Sequence, residues 1–289
     1  LFAEKGRLPL PSAVMLNCIK ARANDFGNMV FNVLGDHIPS HCGETLIPMN
    51  LTLADVYGVS GKEFITNNIA AEDLTARILY TLPVRWPMDM LLVSSAAAAL
   101  ASRYYKLDAE KTKTALSFAA TNSTDPANSY YDYSQEFKYH NGESARMGIM
   151  AAEIAKGGWR GLEDPFFGHW GLVSRQLKDG STLPENYGKC FKDLGKIYYT
   201  EGSFKRFPGG IPMTAVAVCG AALHDEITKE YGEFRGENIH RVCVYQPKGM
   251  PWNYYNEPFK LRNHINALFS YRFAACCALL YGSIKIRHV

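Results

Sequence analysis

The sequence predicts a mainly α-helical protein in two parts, a large helical region over residues 1–185 and a smaller α+β region over residues 186–289. Three observations predict it. Apolar residues recur at helical spacing in the first part, as with Phe64, Ile65, Ile69, Leu74 and Ile78 of "GKEFITNNIAAEDLTARIL". Two stretches, "MLLVSSAAAALASRYYKLD" and "GESARMGIMAAEIAKGG", are rich in small residues, which lets neighbouring helices approach closely. From about residue 186 the texture changes to alternation, as in "GKIYYTEGSFKRFPGG".

Residues 9–24, "PLPSAVMLNCIKARAN", read as a short helix with Val14, Met15, Cys18 and Ile19 on its buried side. The polar and aromatic stretch "DFGNMVFNVLGDHIPSHCGE" reads as a loop. Residues 45–61 read as a helix closed by Gly58 and Gly61, residues 61–79 as a second and residues 90–108 as a third. The helix over residues 108–123 has Asp108 as its N-cap and acids in its first turn, where the helix dipole favours them. Asn141 is placed to cap "GESARMGIMAAEIAKGG", with Gly142, Ala145, Gly148 and Ala152 along one face and Gly157–Gly158 at the end. Lys138 and His140 would then lie at the mouth of that helix, where unbonded backbone N–H groups favour a carboxylate. In the second part, "IPMTAVAVCGAALHDEITKEY" reads as a helix and "NIHRVCVYQP" as a short strand. "KGMPWNYYNEPFK" follows as an aromatic loop, and "HINALFSYRFAACCALLYG" is helical again.

Composition narrows the function. With 47% hydrophobic and 20% charged residues in 289, the chain can build a packed core. Its 31 basic and 28 acidic residues are interspersed, so no basic stripe offers itself to nucleic acid. The longest apolar run, "MLLVSSAAAALA", falls short of the roughly 20 residues a membrane helix needs. The seven cysteines show no CxxC spacing, and Cys276 and Cys277 read as small core residues. That usage points to a reducing compartment, cytoplasmic or the mitochondrial matrix, and to no structural metal. A first residue Leu1 and a strand-like ending, "SIKIRHV", read as a processed or partial chain.

Several stretches, taken in order, resemble the MmgE/PrpD family of 2-methylcitrate dehydratases, cis-aconitate decarboxylases and iminodisuccinate epimerases. They are "NDFGN", "SHCGETLIPMNLTLAD", "AAAALASRYYKLDAEKTKTALSFAAT", "KYHNGESARMGIMAAEIAKGGWRGLEDPFFG", "SFKRFPGG" and "NALFSYRFAACCALLYG". The resemblance implies an active cleft between a large helical domain and a smaller α+β domain, and a homodimer. It implies lyase or isomerase chemistry on a small di- or tricarboxylate, with no metal or organic cofactor. Moving a proton next to a carboxylate needs a base near neutral pKa and cations to hold acidic groups.

The family's roles carry over residue by residue. His41 falls where the motif has a catalytic histidine. Asp25 matches the first acid of the family's "DFDDT" element, whose later positions are Gly27, Asn28 and Met29 here. Pro87 stands where a second histidine is usual, with Arg85 and Asp89 near enough in sequence to supply charge. His140 and Gly142 match, while Lys138 stands one position later than the family's lysine. Lys205 and Arg206 of "SFKRFPGG" keep a basic element, the arginine as a bidentate fork for a carboxylate. Phe273 replaces a common tyrosine and reads as core. The expected catalytic set is therefore His41, Asp25, Lys138 and His140, with Arg85, Lys205 and Arg206 binding substrate. The departures motivate one alternative, a catalytically silent relative acting as a binding or assembly subunit.

Overall fold

The structure, a computed structural model, describes residues 1–2, 4–82, 88–123, 132–177, 184–245 and 260–289, except the side chains of Met29, Met88 and Asp89. It is mainly helical. The elements are α1 (Leu10–Arg22), β1 (Asn28–Val33), β2 (Asp36–Pro39), α2 (Gly43–Tyr57), α3 (Gly61–Thr81), α4 (Val93–Tyr104) and α5 (Ala109–Ala120). They continue with α6 (Glu136–Lys156), α7 (Tyr187–Phe191), β3 (Gly202–Phe204), α8 (Ile211–Tyr231), α9 (His264–Leu268) and α10 (Tyr271–Tyr281).

Local chemistry sets the helix ends. Ser60 caps α3 by accepting from the Glu63 N–H at 3.2 Å, so Gly61 opens α3 rather than closing α2. Asp108 caps α5 as expected, accepting from the Lys111 N–H at 2.8 Å. Gly58 ends α2 with φ of 62°, a left-handed conformation in which glycine has no Cβ penalty. Ser270 caps α10, which divides the expected continuous helix of residues 264–282 in two.

The chain forms two compact units. The first comprises Leu1–Arg22, Gly27–Asp125 and Lys138–Ser203. In it α2, α3 and α4 pack on one another, α1 lies on α2 and α5 on α4. Val14, Leu46, Leu79, Leu100, Ala145 and Ile149 belong to its buried core. The expected loop after α1 is instead an antiparallel hairpin, β1 with β2, in a sheet of order β2-β1-β3. Its two-residue turn, Leu34–Gly35, has φ of 53° and 87°, the pattern of a type I′ hairpin.

The second unit comprises Ala23–Phe26, Pro126–Phe137 and Phe204–Val289. Its core gathers Phe137, Phe207, Met213, Ile265, Phe269 and Ala278, with Phe273 packed against it as expected. α8 and α10 meet at Gly220, where a Cβ would come within 3.0 Å of the Ala275 carbonyl oxygen. The strand expected over "NIHRVCVYQP" is not formed in residues 239–245, which carry no ladder. Alternation marks a surface that could pair, but a strand exists only where hydrogen bonds close it. Of the two adjacent cysteines expected in the core, Cys277 is buried and Cys276 is exposed. No helix among the described residues is long and apolar enough to cross a membrane.

Candidate active site

The turn between β2 and α2 carries His41. Two bonds stiffen it: the Cys42 N–H donates to Ser40 Oγ at 3.2 Å, and the Leu46 N–H to the Cys42 carbonyl at 2.7 Å. His41 is 3% exposed, so the stretch read as a polar and aromatic loop ends in a buried turn. Gly43, where α2 begins, has no room for a side chain, since a Cβ there would lie 1.7 Å from Asn28 Oδ1. Glu44, in the first turn of α2, is 4% exposed; it forms an ion pair with the fully buried Arg22 and accepts the Gly27 N–H at 2.9 Å. Removing either partner would leave a buried charge uncompensated.

α6 begins at Glu136, so the expected cap at Asn141 is overturned. Asn141 lies inside the helix at 0% exposure. Its Nδ2 donates to the His41 carbonyl at 3.3 Å and to Thr45 Oγ1 at 2.9 Å. Asparagine favours caps in isolation because its side chain competes for backbone groups; here tertiary acceptors outweigh that preference. Lys138 and His140 accordingly ride on the first two turns of α6 instead of a loop before it. Lys138 is 8% exposed, and burial pushes its pKa down. The structure thus brings the His41 turn against the segment carrying His140 and Asn141, within the first unit.

Asp25, Lys205 and Arg206 belong to the second unit. Lys205 Nζ is 2.9 Å from Asp25 Oδ2 and 2.8 Å from the Asp25 carbonyl oxygen, with both side chains almost fully buried. Asp25 holds φ of 46°, a left-handed backbone that a non-glycine residue adopts at a cost of about 1–2 kcal/mol. The Gly209 N–H donates to the Asn24 carbonyl at 3.1 Å, tying the same segment to the "FPGG" turn. Arg206 is exposed, its guanidinium 5.4 Å from the Phe207 ring centroid. Arg85 and Pro87 lie outside the described residues.

Sequence reasoning missed Arg22, Glu44 and Thr45, and read Asn141 only as a cap. Periodicity carried no signal for them, since each is polar yet buried, and the bonds that tie Arg22 to Glu44 and Asn141 to Thr45 and His41 span 22 to 100 residues. A cleft of about 1110 Å³ in the first unit is lined by Lys62, Asn67, Arg103, Lys113 and Phe166 among others, and none of the expected site residues lines it. Among the described residues, no group of three or more His, Cys, Asp or Glu side chains is placed to hold a metal ion.

Residues 1–183 match the MmgE/PrpD N-terminal domain. The chain is 23% identical over 295 residues to cis-aconitate decarboxylase of Homo sapiens, covering 97% of this chain and 57% of that protein. It is 24% identical over 301 residues to cis-aconitate decarboxylase of Mus musculus, with the same two coverages. The chain therefore spans little more than half the length of these curated relatives.

Proposed function

The chain belongs to the MmgE/PrpD family, and on that premise we propose that it moves a proton next to a carboxylate of a small di- or tricarboxylate, as a lyase or isomerase. His41 is the acid–base group of this reading. The observation that carries it is the bond from Asn141 Nδ2 to the His41 carbonyl, which sets a buried histidine turn beside a helix bearing Lys138 and His140. A carbon acid next to a carboxylate loses its proton only to a positioned base, with cations facing the charge that develops. Lys138 fits that second need. It sits on the same helix as Asn141, which bonds the His41 turn, and burial lowers its pKa.

In this reading His140 and Lys138 hold the carboxylate beside the reacting carbon. Arg206 and Arg85 are kept as carboxylate-binding cations of this reading on the strength of the resemblance, each guanidinium a planar fork. Asp25 acts through Lys205, whose position it fixes. No cofactor is invoked. A second reading, a silent relative that binds polycarboxylates, is favoured by one observation: the Lys205 ammonium is already answered by Asp25 through both a carboxylate and a carbonyl oxygen.

Deuterium exchange decides between them. Incubated in D₂O with citrate, 2-methylcitrate, cis-aconitate or iminodisuccinate, the protein should exchange the proton next to a carboxylate in at least one acid. His41→Ala should slow that exchange at least about 100-fold, the usual contribution of general acid–base catalysis. Stabilisation by an acid without exchange would leave the binding reading; neither exchange nor stabilisation with any acid would remove both.

A further inference from the structure

We propose that Asn141 is a positioning residue for His41, the amide that fixes where the histidine turn stands relative to α6. The inference rests on His41 being the proton-transfer group proposed above. Asn141 does not touch the reacting atoms in this account; it acts through the His41 main chain.

Three observations carry it. Both Nδ2 hydrogens are committed, one to the His41 carbonyl at 3.3 Å and one to Thr45 Oγ1 at 2.9 Å, so a single side chain spans the turn and the first helical turn after it. Thr45 Oγ1 also lies 3.4 Å from the Asn141 main-chain carbonyl, a hydrogen bond that closes the link in both directions. The backbone under Asn141 has little freedom. The next residue, Gly142, packs so tightly on α1 that a Cβ there would lie 2.5 Å from Ile19 Cγ1 and 2.6 Å from the Met15 carbonyl oxygen. The amide therefore reaches out from a fixed platform.

The third observation separates positioning from plain packing. Asn141 Oδ1 is buried and accepts no hydrogen bond. A flipped amide would not cure this, because it would set Oδ1 against the His41 carbonyl oxygen. An unsatisfied buried carbonyl costs stability, and a leucine of similar size would avoid that cost at a fully enclosed position. What only the amide supplies is the pair of Nδ2 bonds. Misplacing a catalytic group by about 1 Å can cost two orders of magnitude in rate, so such a tether has a function to serve.

The test compares Asn141→Leu, which removes both donors and the orphan acceptor while keeping the volume, with Asn141→Ser, which keeps one short donor. The first readout is the ring resonances of His41 by NMR, assigned with His41→Ala, with His224 of the second unit as control. The second is the KM and kcat of carboxylate-adjacent deuterium exchange. Asn141→Leu should shift the His41 ring resonances, leave those of His224 in place, and lower kcat at least about tenfold with KM held within about twofold. Asn141→Ser should fall between it and the native protein. His41 ring resonances in Asn141→Leu that superimpose on the native ones would overturn the proposal, whatever happens to the melting temperature. If Asn141→Leu fails to fold, Asn141→Ser alone decides on the same readouts. If the native protein shows no exchange, the catalytic reading falls and the resonances still decide whether Asn141 sets His41.

Discussion

Lys138 shows how far residue type can be read without its surroundings. The sequence marks it as a cation near a small-residue helix, and the structure keeps it on that helix, but at 8% exposure, where desolvation depresses its pKa from 10.5. The sign of the consequence follows from linkage. Between the lowered folded value and the unfolded 10.5, the unfolded chain binds the extra proton, so stability rises with pH through that window. Lys138→Met has no such proton to lose. The urea midpoint of the native protein should therefore climb relative to that of Lys138→Met as pH rises toward 10.5, and parallel profiles would reject a desolvated ammonium. Anion affinity should move the other way, weakening as pH rises through the depressed pKa, because the neutral amine no longer attracts a carboxylate. Lys205 was legible only as a basic residue. Its partner Asp25 lies 180 residues away, and no local pattern announces a bond of that span.

Helices are the scale at which the sequence was most legible. The 3.6-residue period and the caps located α1 to α5 and α8 to within a few residues, because both signals are local. The β1–β2 hairpin was not legible, since its turn places Leu34, a γ-branched residue, at positive φ where asparagine or glycine is the usual signal. α6 was read correctly along its face and wrongly at its start. The face expected from Gly142, Ala145, Gly148 and Ala152 is buried throughout. At Gly148 a Cβ would lie 2.4 Å from Ala97 Cβ and 2.6 Å from the Ala97 carbonyl carbon, so α6 and α4 meet backbone to backbone. Intrinsic propensity predicts that Gly148→Ala stabilises α6 by about 0.5–1 kcal/mol. The contact predicts the reverse, a loss of about 1–3 kcal/mol from overpacking, because the obstacle is partly main chain and cannot rotate away. Chemical denaturation of Gly148→Ala settles the sign, and any gain in stability would show that the helices separate at little cost.

Across the whole molecule, the largest element of order that the sequence concealed is the charge hub of Arg77, a fully buried side chain of α3 in the first unit. Its Nε donates to Asp73 Oδ2 at 2.9 Å, its Nη1 to Asp193 Oδ1 at 2.7 Å and to the Cys190 carbonyl, and its Nη2 to the Ile197 carbonyl at 2.6 Å. The guanidinium also lies 4.7 Å from the centroid of the Tyr199 ring. Tyr199 closes the circuit, donating its N–H to Asp73 Oδ1 at 2.8 Å and its hydroxyl to Asp193 Oδ2 at 2.5 Å. One side chain thus fastens residues 190–199 to α3. Asp73 and Arg77 stand four residues apart on α3, but Asp193 and Tyr199 join them from more than a hundred residues away. The Tyr199 hydroxyl, then Arg77, hold the Asp193 carboxyl below its usual 3.8. A depressed carboxyl pKa contributes stability that is present above the unfolded value and lost as pH falls through the folded one. Arg77→Met should cost about 3–5 kcal/mol at pH 7, because it leaves Asp73 buried without its cation. That cost should shrink as pH falls below 3.8 through the lowered folded value of Asp193, where the native hub loses the advantage of that carboxylate. Urea unfolding of both proteins at several pH values across this range measures the difference directly. A penalty that stays constant down to acid pH, or one under about 1 kcal/mol at neutrality, would mean that packing around Arg77, and not its charge, fastens residues 190–199.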